Sequence, residues 1–187
     1  MRHFIAALAV TATLAGCTSS SINATTAAKV QAIDYANDDV GSMLIAFDVP
    51  LTLEPVPRGS TMIFNLGDRK LTAVLARAEL DDVAGTLPPP AADRTYYLFG
   101  FSTADKEKIK NLQHDAQVTG SVTALTVSLS PLFCRTEEID PAKTRFSVLL
   151  ALPGGGKLEP LFSNTSLADA LATAPVKELP LCEGNSG

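Results

Sequence analysis

The sequence predicts a mainly β protein, an antiparallel β-sandwich with one or two short inserted helices. Three observations lead there. Apolar and polar residues alternate over several short runs, the pattern of a strand with one buried face. The runs recur at intervals of about 8–12 residues with Gly and Pro between them, the spacing of sandwiches and barrels. The chain has 187 residues, 46% hydrophobic and 19% charged, which suits one ordinary domain and is too apolar for wholesale disorder.

Each element follows from its residues. Met43, Ile45, Phe47 and Val49 alternate with Ser42, Ala46 and Asp48, predicting a half-buried strand. Pro50 interrupts it, Leu51 and Leu53 resume the alternation, and Pro55, Pro57 and Gly59 make a turn. Met62, Phe64 and Leu66 form the next strand. After Gly67-Asp68, Leu71 to Ala78 forms another with small residues on both faces. Asp81 to Asp93 is a loop, because Pro88-Pro89-Pro90 cannot donate ladder hydrogen bonds. Thr95 to Phe101, with Tyr96, Tyr97, Phe99 and Phe101, predicts a central strand.

Ser102 to Ala116 predicts a surface helix. Ser102 or Thr103 can cap it, with Asp105 three residues after Ser102. Ile109 and Leu112 form its apolar stripe among solvated lysines 106, 108 and 110. Val118 to Leu132 reads as one long strand, with a bulge near Ala124 where the apolar phase changes. Phe146, Val148, Leu150 and Leu152 pair as a hairpin with Lys157–Phe162 through Pro153-Gly154-Gly155-Gly156. Ser166 to Ala172 predicts a short capped helix, and Glu178 to Cys182 an edge strand restricted by Pro180. Uneven strand lengths and edge prolines favour an immunoglobulin-like or transthyretin-like sandwich over a barrel. No repeat of about 20–50 residues is present.

The N-terminus carries the most specific motif. Arg2 and His3 precede a short apolar run, Phe4 to Leu14, ending in Leu14-Ala15-Gly16-Cys17. A basic start, a brief apolar stretch and a small-residue site make a secretory signal, and the run is too short to span a bilayer. Leu14-Ala15-Gly16-Cys17 resembles the lipobox of bacterial lipoproteins, a likeness confined to residues 1–17. It implies cleavage before Cys17, a diacylglyceryl group on its sulfur and a further acyl chain on its amine. Residues 1–16 are then a lipoprotein signal peptide. Residues 17–33 are expected to be a lipidated flexible tether, since Thr18 to Ala28 is small, polar and without periodicity. Residues 34–187 make one β-rich domain. Thr18, not Asp, after the cysteine implies outer rather than inner membrane by the rule of enteric members of that class. Removing 16 residues leaves 171, and losing Arg2 takes the net charge from −5 to −6.

That dispersed acidic charge excludes a nucleic-acid binder working through a basic patch. With Cys17 lipidated, Cys134 and Cys182 are left as an even pair in an oxidising compartment, which predicts a disulfide between them.

Candidate chemistry is sparse. His114 is the single histidine of the processed chain, on the polar side of the predicted helix, and reads as solvated. Gly154-Gly155-Gly156-Lys157 lacks the GxxxxGK[ST] pattern of a phosphate loop, and Pro160 argues against a following helix. Asp34, Asn37, Asp38 and Asp39 lack the spacing of a calcium loop. Asp81-Asp82, Glu137-Glu138 and Asp140 read as loop charges, and no two carboxylates are paired by the sequence. Tyr96 and Tyr97, being adjacent on a strand, face opposite ways. Asn164-Thr165-Ser166 fits a helix cap better than a glycosylation acceptor.

No catalytic residue, metal or cofactor is assigned. The expectation is a non-catalytic envelope lipoprotein held at the membrane by the lipid on Cys17, binding or scaffolding another envelope protein. Two alternatives stand: a carboxylate-dependent hydrolase of cell-wall glycans or peptidoglycan, and an inhibitor of an extracellular enzyme presenting the loop Gly85 to Arg94.

Overall fold

The structure is a computed structural model that describes residues 21–66, 69–79, 83, 86–119, 125–154, 156–174 and 177–183. The expected signal peptide, Cys17, the bulge expected near Ala124, Asp81-Asp82, Gly85 and Gly155 lie outside the described residues. In chain order the elements are β1 (Ser21–Ile22), α1 (Ala24–Gln31), a 3₁₀ turn (Val40–Ser42), β2 (Leu44–Pro50), β3 (Leu53–Pro55), β4 (Thr61–Leu66) and β5 (Arg69–Arg77). Then follow β6 (Arg94–Phe101), α2 (Thr103–Thr119), β7 (Leu125–Ser130), β8 (Phe133–Arg135), β9 (Arg145–Ala151), β10 (Leu158–Ser166) and α3 (Leu167–Thr173).

The chain is mainly β and antiparallel, as its alternation predicts. Among the described residues the ladders join seven strands into one curled sheet, extended at one edge by the two-residue β1, in the order β1-β10-β9-β2-β6-β5-β4-β7. β3 and β8 form a separate two-stranded ribbon.

β2 sits in the middle, with Phe47 opposite Tyr97 of β6 and Val148 of β9. Its alternating residues Ile45, Phe47 and Val49 are buried in the main core with Phe64, Phe99, Phe101, Val148 and Leu150. The strand is more buried than its alternation predicts. Ala46, on the other face, is also fully buried, in a second cluster with Leu98, Ala151, Leu158 and Val83. Val83 and Leu87 come from the long loop, so the loop supplies the cover for the face that reads as solvent-facing. The ribbon closes the main core. Phe133 of β8 meets Phe47 edge-on at 5.3 Å between ring centres, and Phe99 meets it at 5.7 Å. Such pairs contribute about 0.5–1.5 kcal/mol beyond their burial.

Four expectations need correction. The tether expected over residues 17–33 is folded from Ser21. β1 pairs with β10, Asn23 caps α1 by accepting from the Thr26 amide at 3.0 Å, and Thr26 is buried. The long strand expected from Val118 does not form. Val118 and Thr119 end α2, and β7 and β8 are distinct strands in different sheets. Nor does Glu178–Cys182 form a strand. A single parallel bridge joins Leu181 to Arg135, held by the Arg135 amide on Pro180 O and the Cys182 amide on Arg135 O. Pro180 thus contributes its carbonyl, the one ladder group it has. The helix cap expected at Ser166 is positional only: Ser166 is the N-cap of α3, but its side chain makes no capping bond.

The cap expected for α2 is formed by Ser102. The Asp105 amide donates to Ser102 Oγ (3.1 Å), Ser102 Oγ donates to the Asp105 carboxylate (2.9 Å), and Lys108 adds an ion pair at 2.8 Å. Lys108 and Ser102 together hold the Asp105 carboxyl below its usual range despite burial. Cys134 and Cys182 lie at disulfide distance, with Cα atoms 4.9 Å apart, inside the usual window for a bridge.

Two outcomes are expected. Asp105→Asn should lower stability by about 1 kcal/mol at pH 6. A lowered folded-state pKa adds stability that is present above the unfolded value and lost as pH falls through the folded one. The gap between wild type and variant in urea unfolding should therefore narrow towards pH 3; a constant gap would show that the carboxylate's charge does not matter. Replacing both Cys134 and Cys182 by Ala opens a loop of 48 residues and should cost up to about 4 kcal/mol, read by the same unfolding curves.

Candidate functional site

A polar cleft that gathers sequence-identified residues lies between the segment after α1 and α2. It is lined by Ala36, Asn37, Asp38, Asp39, Lys110, Gln113, His114 and Gln117, with a volume of about 260 Å³. The fold thus brings His114 beside the acidic group Asp34–Asp39, which the sequence leaves as separate candidates.

The local chain explains the arrangement. Asp34 folds the segment on itself: its carboxylate accepts from the Ala36 amide (3.1 Å) and from Asn37 Nδ2 (2.7 Å). These bonds, Asn37 first, lower the Asp34 pKa. Asp38 accepts from the Asp34 amide at 2.9 Å. α2 then grips the turn with two amides one helical turn apart. Gln113 Nε2 donates to the carbonyls of Tyr35 (2.6 Å) and Asp38 (2.8 Å), and Gln117 Nε2 to that of Ala36 (2.5 Å). Burial raises the Tyr35 phenol pKa.

The acidic residues therefore build a turn. Asp34 and Asp38 already accept protein donors, and among the described residues no group of three or more His, Cys, Asp or Glu is placed to hold a metal ion. His114 is exposed at the rim, and Lys110 stands 3.7 Å from Glu107 on the same helix. The cleft is an open, hydrogen-bonding surface.

The other candidates are dispersed. Gly154 and Gly156 adopt positive φ (69° and 57°) in the β9–β10 hairpin, and a strand follows, so the geometry is that of a turn. Glu138 pairs with Arg135, and Asp140 accepts from the Ala142 amide and pairs with Lys143, which lowers its pKa. Tyr97 lies under Arg77, 4.6 Å from its ring centre, and packs towards Phe133. Tyr96 faces the other way beside Asp48 and Arg94; burial raises both phenol pKa values. Arg94, at the end of the loop considered for an inhibitor, is turned inward. It bonds the Asp48 carboxylate (2.7 Å), Asp48 O (2.8 Å) and Arg145 O (3.1 Å), tying β6, β2 and β9 together.

Sequence reasoning missed Gln113 and Gln117 as the residues that organise the cleft. Their spacing of four on one helix was the available signal; their partners, about eighty residues earlier, gave none. No known family model, curated protein or solved structure matches this chain.

Gln113→Ala leaves two carbonyls without their donor and should speed amide exchange over residues 34–39, with a stability loss of about 1 kcal/mol. His114→Ala, at an exposed helical position, should change stability by no more than about 0.5 kcal/mol. A larger loss at His114 would mean that the imidazole is structural.

Proposed function

We propose that this chain is a bacterial envelope lipoprotein, exported, anchored by lipid on Cys17, and acting as a non-catalytic binding or scaffold module. The observation that carries the reading is Leu14-Ala15-Gly16-Cys17 at the end of a basic and then apolar leader. The Cys134–Cys182 pair at bonding distance supports it independently, because such bridges persist in oxidising compartments outside the cytoplasm. Two or more acyl chains on one residue make a stable anchor, each buried CH₂ adding about 0.8 kcal/mol. The outer membrane is the favoured site, with Thr18 after the cysteine.

The module itself is a sheet curled over its main core, which the β3–β8 ribbon caps, and we read it as a variant of the sandwich predicted from the strand pattern. A binding role is supported by how its polar side chains are used. Asp34, Asp105, Arg94 and Gln113 each hold backbone or a neighbouring side chain in place. The polar cleft is open and presents His114, Lys110 and Asp39 to solvent as a recognition surface.

Cys17→Ser should abolish acyl labelling and move the protein from the detergent phase to the aqueous phase. A mutant that still partitions with membranes would overturn the anchor. Crosslinking in intact cells should recover the wild-type protein with a stoichiometric envelope neighbour. Release of soluble fragments from peptidoglycan, lost on changing Asp38 or Asp39, would instead support a carboxylate-dependent hydrolase.

A further inference from the structure

We infer that the domain is held close against the lipid surface by a very short leash, with the Pro141–Arg145 end of the β9–β10 hairpin nearest the bilayer. The inference rests on the lipid anchor proposed above and adds a surface and an orientation to it.

The first observation is length. Composition alone assigns Thr18–Ala28 to a tether, but Ser21 and Ile22 are paired with Ser163 and Phe162 at the sheet edge. Asn23 continues the contact, its amide donating to Leu161 O at 2.9 Å, and Lys29 of α1 ion-pairs with Glu159 of β10 at 2.6 Å. The segment from Ser21 to Gln31 is thus fastened to β10 along its length. Only four peptide steps separate Cys17 from Ser21, so the acylated residue stands within about 14 Å of the sheet edge.

The second observation is direction. β1 runs antiparallel to β10, so the chain enters β1 from the end of the sheet where β10 finishes. There Ser166 pairs with Arg145, and the turn through Pro141 and Ala142 leads into β9. Leu158 and the glycine turn lie at the opposite end, about 20 Å away along six residues of strand.

The test compares nitroxides on Ala142→Cys and Lys157→Cys, both exposed, at the two ends of the same hairpin. The full lipidated protein is reconstituted in vesicles carrying a nickel-chelating headgroup lipid. Relaxation of the label by nickel should be several-fold stronger at position 142 than at 157. Inserting about twelve Gly and Ser residues after Thr18 should bring the two values together, because a flexible chain of that length relaxes the constraint. Equal relaxation in the uninserted protein, while it still floats with the vesicles, would overturn the leash and leave the anchor intact. A difference that survives the insertion would overturn the leash as its cause. Failure to float would overturn the anchor and this inference with it. Unchanged circular dichroism of each labelled variant excludes misfolding as the source of the result.

Discussion

The fold depends on packing β2 from both sides. A strand in mid-sheet has its backbone satisfied by two neighbours, β6 and β9, and both of its faces must then be covered. Phe47 fills one side, with Phe99 and Phe133 against its edges; Ala46 is small enough for Val83 and Leu98 to close over the other. Phe133 is the link to the ribbon, and its neighbour Cys134 carries the constraint on to Cys182 and the last bridge at Leu181. The centre of the sheet, the ribbon and the C-terminal segment are therefore one connected unit. Burying such a phenylalanine contributes about 1.5–3 kcal/mol, comparable with the bridge that reinforces it.

Polar side chains are organised around that unit as fasteners. Arg94 ties three strands at one end of the sheet, Asp105 starts α2 against β6, and Gln113 and Gln117 pin the turn that follows α1. A carboxylate or amide committed in this way has its geometry set by the scaffold, which leaves the open cleft as a surface whose shape is stable. That suits recognition by hydrogen bonding, where rigid donors and acceptors lose little freedom on binding.

The N-terminal segment from Ser21 is part of the architecture. β1 covers part of the β10 edge, and α1 lies along the same strand, so one stretch of chain blunts an exposed ladder. An edge strand bent by register shifts at Pro160, Phe162 and Thr165, with Asn164 at φ 53°, offers little room for further pairing.

Much of this was legible in residues that carry local patterns. The alternation from Met43 to Val49, the aromatic run Thr95–Phe101, the Ser102–Asp105 box and the β9–β10 hairpin all depend on neighbours a few positions apart. The pairing of Cys134 with Cys182 followed from counting once Cys17 was set aside for lipid. Other features had no local signature. A two-residue strand has no period to detect, so Ser21–Ile22 reads as tether until β10 is beside it. The polar stretch after it becomes a helix because Asn23 caps it and Thr26 finds a buried place. Val118 suits a strand by propensity, yet ends α2, because the helix continues through the glutamines that grip the turn at 34–39. Burial of Ala46 required a loop forty residues away, and the joining of seven strands into one curled sheet required their registers. By itself the sequence determined the period-two strands, the cap of α2 and the even cysteine pair, because those rest on contacts within a turn or on arithmetic. Only the tertiary structure decided the sheet order, the second buried face and the docking of Ser21–Ile22 on β10, because each rests on contacts between residues far apart in the chain.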